Sequence, residues 1–288
     1  MKKNSKLVFL VCVLFVILLA FIIYNSVTYD ETIDHETKYS LKEDGVVVIS
    51  NVFNSQEINK LKDLCINKNY EKTKEYLLQN KKLQQVCLQK ASPDYIFQDY
   101  IWIIQKSVVH TCHRDNNGDF FNKGQKYPSY TILVYLEPME KCLGVIPTSH
   151  LDKNSFNVNI TNKVIHLPCN PGDIIMFNAN LIHVGAMNEK QDNLRCQLKF
   201  SHKDDIPILD YYQDFNKVLN KDNNLPIYMR QLQKQFSCAL PVMSNITQGE
   251  NIRTARGSDN GVEIGVFQKL FSFLFYGNSN FYDLPNAF

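Results

Sequence analysis

The chain has no Cys-x-x-Cys pair, no basic patch interleaved with aromatic residues, and no small-x-small cleavage signal after its one long apolar run. Each absence removes a class. Of its eight cysteines, Cys12 lies inside the apolar run, and Cys65, Cys87, Cys112, Cys142, Cys169, Cys196 and Cys238 are scattered singly. That spacing is not a zinc site, and an odd number cannot all pair within one chain. A net charge of +2 with no clustering argues against nucleic acid as a partner. Without a cleavage signal, the run Leu7–Tyr24 reads as retained rather than removed.

As a helix that run would be about 27 Å long, close to the hydrocarbon thickness of a bilayer. Lys2, Lys3 and Lys6 precede it, and Asp30 and Glu31 follow. The expectation is therefore a single-pass membrane protein: residues 1–6 a cytoplasmic basic flank, 7–24 a transmembrane signal-anchor, 25–40 a polar tether. The rest would be lumenal or extracellular, in the endoplasmic reticulum or Golgi of a cell with a secretory pathway. The membrane is then a partner through the N-terminal helix.

A hydrophobic share of 44%, with 18 Phe and 15 Tyr, calls for a packed domain rather than a disordered chain. Asn54-Ser55-Gln56-Glu57 reads as a capping box, and Ile58, Leu61, Leu64 and Cys65 recur at helical spacing. Glu71–Lys90 reads as a second helix with a solvated face. From Ile101 the pattern changes to short apolar runs between turn residues: Ile101–Val109, Tyr127–Leu136, Leu143–Ile146, Val164–Leu167, Ile174–Phe177, Leu181–Val184 and Leu194–Phe200. Such a series suits a mainly β fold with flanking helices, a double-stranded β-helix or cupin-like jelly roll. Residues 203–288 are an extension of unknown role. In it Asp210–Gln235 has room for a helix, Thr247–Val262 reads as a polar connector, and Val266–Tyr276 as a short apolar element packed on the domain.

The chemistry concentrates between His113 and Arg195. His113 and Asp115, two apart, share one side of an extended segment. His183 follows in an apolar strand after the turn Pro171-Gly172-Asp173. Two histidines and a carboxylate can occupy one face of a six-coordinate ferrous ion, leaving the opposite positions open. Arg195, in another strand-like run, offers a guanidinium suited to bidentate pairing with a carboxylate. His150-Leu151-Asp152 and His202-Lys203-Asp204 repeat the triplet, so order and spacing decide. No histidine follows His202, and His150 reads as structural, as do His110 and His166.

These residues resemble the Fe(II)/2-oxoglutarate-dependent dioxygenases, and within them the phytanoyl-CoA dioxygenase-like branch. The resemblance covers residues 41–202. It includes Leu41-Lys42-Glu43-Asp44-Gly45-Val46-Val47-Val48-Ile49, Tyr130-Thr131-Ile132-Leu133-Val134-Tyr135-Leu136-Glu137, and Gly144-Val145-Ile146-Pro147-Thr148-Ser149-His150. It implies Fe(II) held by His113, Asp115 and His183, with 2-oxoglutarate and molecular oxygen as co-substrates and ascorbate as an accessory reductant. Arg195 would clamp the distal carboxylate of 2-oxoglutarate. The implied reaction couples oxidative decarboxylation, giving succinate and carbon dioxide, to hydroxylation of a lipid, small metabolite or protein side chain. Relatives that halogenate lack the carboxylate that Asp115 supplies. Two departures stand out: Gln197 where many relatives carry a hydroxyl residue, and Thr148 where they usually carry glycine. Cys112, beside a ligand, reads as a thiol open to oxidation by the metal centre. The alternative readings are a catalytically silent jelly-roll scaffold and a metal hydrolase on a cupin-like fold. The oligomeric state is not readable.

Overall fold

The computed structural model of the chain describes residues 2–28, 32–35, 37–106, 109–139, 141–159, 162–187, 192–209, 213–241, 265–285 and 287. The connector read at Thr247–Val262 lies outside them. Helix α1 covers Lys2–Thr28. After β1 (Thr32–Ile33) and β2 (Val46–Ile49) come α2 (Ser55–Ile66), α3 (Tyr70–Leu78) and α4 (Lys81–Lys90), then β3 (Tyr95–Phe97) and β4 (Tyr100–Lys106). The strands β5 (Tyr130–Tyr135), β6 (Gly144–Val145), β7 (Ile165–His166), β8 (Ile174–Asn178), β9 (His183–Val184), β10 (Asp192–His202) and β11 (Phe215–Asn220) follow. Two helices, α5 (Ile227–Ala239) and α6 (Val266–Tyr276), complete the order.

The strands form a four-stranded sheet, β1-β7-β6-β9, and a seven-stranded sheet, β11-β4-β10-β5-β8-β2, in which β3 also pairs with β10. Leu133, Tyr135 and Phe177 of the large sheet meet Leu143, Val145 and Leu167 from the small-sheet side in one core cluster. The other face of the large sheet is covered by α2–α4: Leu61, Leu77 and Leu83 pack with Ile101, Ile103, Ile132, Val134, Cys196 and Leu198. Both faces are buried, which is why β4, β5 and β8 read as largely apolar runs, while β10 alternates because Arg195, Gln197 and Lys199 are buried on its inward face. The arrangement is mostly β with flanking helices, consistent with the jelly-roll class expected.

The seven runs read as strands each contain one, β4 to β10. The capping box forms as written: Asn54 Oδ1 accepts from the Glu57 amide at 3.0 Å and Glu57 Oε2 from the Asn54 amide at 2.8 Å. The segment read as one helix over Glu71–Lys90 is two. Asn80 stops α3 and caps α4, its Oδ1 accepting from the Leu83 amide at 2.9 Å. Within Asp210–Gln235 a helix does form, the start of α5 from Ile227, and residues 215–220 before it are strand. Phe215, Val218 and Leu219 are buried, and β11 runs parallel to β4.

The single-pass anchor expected over Leu7–Tyr24 is corrected: among the described residues no helix is long and apolar enough to cross a membrane. Helix α1 lies against α5. The single-pass topology and the lumenal or extracellular placement drawn from it are withdrawn accordingly.

The turn before β8 positions one of the site strands. Gly172 has φ +91°, and a Cβ there would sit 2.4 Å from the Phe53 carbonyl oxygen. Its own carbonyl accepts from the Phe53 amide at 3.0 Å, tying the turn to the start of α2. Gly172→Ala should therefore destabilise the fold by about 2–4 kcal/mol, from left-handed strain plus overpacking. A denaturant midpoint unchanged from wild type would contradict this.

Candidate metal centre and its cavity

His113 and His183 are direct backbone partners. The His113 amide donates to the His183 carbonyl at 3.0 Å and the reverse bond is 2.9 Å, an antiparallel bridge extending β9. Two residues on, the Asp115 amide donates to Ala179 O at 2.8 Å, so the His113–Asp115 arm is stitched to the turn between β8 and β9. This brings His113, Asp115 and His183 together as a buried group whose ligand atoms all lie within 4.8 Å of one another. Asp115 Oδ1 is 3.8 Å from His113 Nε2 and 3.6 Å from His183 Nε2.

The outer ring nitrogens fix the imidazoles. His113 Nδ1 lies 2.8 Å from Thr111 O and His183 Nδ1 2.9 Å from Leu181 O. A carbonyl can only accept, so each Nδ1 carries the proton and each Nε2 is left as a lone-pair donor facing Asp115. Burial holds both rings neutral. His183 is pushed down to about 3, by desolvation first and then by the nearby His113, and His113 is lowered by desolvation. A neutral, oriented imidazole is the form a metal ion takes up.

Lys199 was not singled out from the sequence. Its Nζ donates to Asp115 Oδ2 at 2.7 Å, to Thr131 Oγ1 at 2.8 Å and to Asn117 Oδ1 at 3.3 Å, and it is fully buried. Thr131 Oγ1 also donates to Asp115 Oδ2. Burial alone would raise the Asp115 carboxyl, but Lys199 and then the two histidines outweigh it and hold the group well below the usual carboxylate range. One carboxylate oxygen is thus occupied by two donors and the other faces the histidines. The signal was periodicity: Arg195, Gln197 and Lys199 share one face of β10, while Cys196 and Leu198 face the helices.

Arg195 lines the same cavity as the triad. It is 7% exposed, and its Nη1 donates to Asn193 O at 3.2 Å. Among the described residues no carboxylate pairs with it. The groups that raise its basicity against burial are Tyr135 and Cys142, and desolvation lowers it overall. A buried guanidinium with one backbone partner has unused donors arranged for an anion. Gln197, the departure noted from the sequence, places a buried carboxamide on the lining two residues from it.

Arg114, between the two ligands, turns away from the cavity. It donates to Asn180 O at 2.8 Å and Ser149 O at 3.2 Å and pairs with Asp152. This clamp holds the turn at Thr148, whose φ of +67° is left-handed. That conformation accounts for glycine in the resembling family, and a β-branched residue there costs about 1–2 kcal/mol.

Four other histidines are engaged elsewhere. His150 Nε2 meets Lys42 O at 3.2 Å, His110 Nε2 meets Gln233 Oε1 at 2.7 Å, and His166 Nε2 lies 3.0 Å from Lys234 Nζ. His202 caps the 3-10 turn after β10 and stacks on Tyr127. Cys112 has no free thiol, contrary to the expectation of an oxidisable one: it is disulfide-bonded to Cys238 of α5.

No family profile and no curated protein matches the chain. Solved structures do. EvdMO1 matches at 16% identity over 57% of this chain and 48% of its own, with a TM-score of 0.45; the match spans about half of that protein. SnoN, a non-heme alpha ketoglutarate dependent epimerase from nogalamycin biosynthesis, matches at 16% identity over 56% of this chain and 78% of its own, TM-score 0.47. EvdO2 from Micromonospora carbonacea var. aurantiaca, complexed with 2-oxoglutarate, matches at 14% identity over 59% and 90%, TM-score 0.44. None of them singles out the phytanoyl-CoA dioxygenase-like branch.

If Lys199 and Thr131 hold Asp115 for the ion, Lys199→Met should weaken metal binding about 10- to 100-fold, the usual cost of losing an outer partner of a ligand. Titration of the refolded, circular-dichroism-checked variant with Co(II) measures this; wild-type affinity would show Lys199 to be packing alone.

Proposed function

We propose that the chain is a non-haem Fe(II)- and 2-oxoglutarate-dependent oxygenase that hydroxylates its substrate with release of succinate and carbon dioxide. The observation that carries this reading is the pairing, in one cavity, of a buried two-histidine, one-carboxylate group with a buried arginine with which no acid among the described residues pairs. The donor set fits a ferrous ion: two neutral imidazoles and a carboxylate.

Each residue then has a task. His113 and His183 present Nε2, kept unprotonated by their carbonyl partners, and Asp115 presents Oδ1 while Lys199 and Thr131 hold Oδ2. Arg195 receives the distal carboxylate of 2-oxoglutarate through its free N–H groups. The surrounding Leu133, Tyr135 and Phe177 exclude water, which strengthens that pairing. When bound, iron and 2-oxoglutarate supply the coupling of the co-substrate's oxidative decarboxylation by molecular oxygen to oxidation of a C–H bond. A silent scaffold has no use for an acid-free guanidinium in its core.

Anaerobic addition of Fe(II) and 2-oxoglutarate should produce a weak visible charge-transfer band, and admitting oxygen should release succinate. Asp115→Ala should abolish both. Arg195→Ala should keep the metal and raise the 2-oxoglutarate requirement by about 30- to 1,000-fold, equivalent to about 2–4 kcal/mol for one half of a buried charge pair. Equal loss of metal and co-substrate in the two variants would overturn the assigned roles.

A further inference from the structure

Tyr282 and Leu284 stand at the far end of the chain yet line the same cavity as the triad. Helix α6 ends at Gly277 with φ +67°, and the chain doubles back. Phe281 stacks on Tyr276, with ring centroids 4.0 Å apart and planes at 9°. The Tyr282 hydroxyl lies 2.9 Å from that of Tyr276, which is 3.3 Å from Thr111 Oγ1. Thr111 is the residue whose carbonyl holds His113. Further on, Pro285 O accepts from the Val218 amide at 3.3 Å and the Ala287 amide donates to Asn216 O at 2.8 Å, pinning the segment along β11. Tyr282 and Leu284 are buried whereas Asp283 and Pro285 are exposed, so the segment is a strap with one face turned inward.

The strap packs on an aromatic wall: Tyr282 and Leu284 share one core cluster with Tyr100 and Phe215, and Trp102 packs against it. Tyr100 stacks on Phe215 at 4.7 Å and 8°, and Trp102 meets Phe215 edge-on at 6.4 Å and 69°. We propose that the strap, through Tyr282 and Leu284, closes with Tyr100, Trp102 and Phe215 a chamber for an uncharged, ring-bearing substrate. The inference rests on the iron and 2-oxoglutarate reading, because that reading occupies every charge on the lining. Asp115 serves the metal and Lys199, and Arg195 serves the co-substrate. No other Asp, Glu, Lys or Arg lines the cavity among the described residues. An anionic or cationic substituent carried inside would be buried without a partner, which costs several kcal/mol. A ring instead gains stacking against the aromatic faces.

Trp102 is the only tryptophan of the chain, so its emission reports on this wall. The full chain, loaded anaerobically with Fe(II) and 2-oxoglutarate, is titrated with 1-adamantanol and with 1-adamantanecarboxylate, two cages of similar size that differ in charge. The alcohol should shift Trp102 emission saturably and bind at least tenfold tighter than the carboxylate. Leu284→Lys should reverse that preference. Equal binding of the two probes by the wild type, tighter binding of the carboxylate, or no saturable change overturns the chamber, whether or not the variant folds. The charge-transfer band is read on the same sample. Its presence without selectivity for the alcohol overturns the chamber alone, and its absence overturns the chamber together with the cofactor reading.

Discussion

The site depends on a pair of backbone hydrogen bonds. His113 and His183 are far apart in sequence, and the reciprocal bonds between their amides and carbonyls hold them as opposed residues of one ladder. Such a pair fixes the separation of the two Cα atoms at about 5.5 Å and leaves both side chains on the same face. The rings come to lie with centroids 4.2 Å apart. Asp115 reaches the same point because it is two residues along and bonded in turn to Ala179. The grouping of His113, Asp115 and His183 is therefore a product of strand registry, set by main-chain bonds rather than by flexible side chains meeting.

Much of this was legible in the chain itself, and the failures have physical causes. The runs that became β4, β5 and β8 were readable because a sheet covered on both faces favours continuous apolar sequence. The two-residue spacing put His113 and Asp115 on one side of an extended arm, but the same triplet recurs at His150 and His202, and it is the bridge to His183 that separates them. Lys199 shares the inward face of β10 with Arg195 by period-two spacing, but that spacing does not name its partner, which is a long-range contact to Asp115. Strand β11 was hidden because Asn216 and Lys217 interrupt its apolar residues, and its order comes from lying parallel to β4. The break at Asn80 is a local capping event within a pattern that reads equally well as one helix. The hydropathy of Leu7–Tyr24 suggested an anchor, but a run of apolar letters does not state what the helix packs on, and α1 lies against α5.

The inward face of β10 sorts the cavity by charge. Arg195, Gln197 and Lys199 follow one another along it, a cation free for an anion, a neutral amide, and a cation already spent on Asp115. Lys199 is neutralised inside the protein by Asp115, and on the proposed reading Arg195 would take its counter-charge from 2-oxoglutarate.

The Cys112–Cys238 bond, with a sequence separation of 126, closes a covalent ring through the chain. His113, Asp115, Thr131, His183, Arg195 and Lys199 all lie inside that ring, while α1 and the terminal strap hang outside it. A proteolytic nick within the ring opens it into two pieces that stay joined, so the nicked molecule keeps its mobility on a non-reducing gel and parts only after thiol treatment. A cut after α5, by contrast, severs the strap from the covalent unit that carries the donors, leaving only non-covalent contacts to retain it.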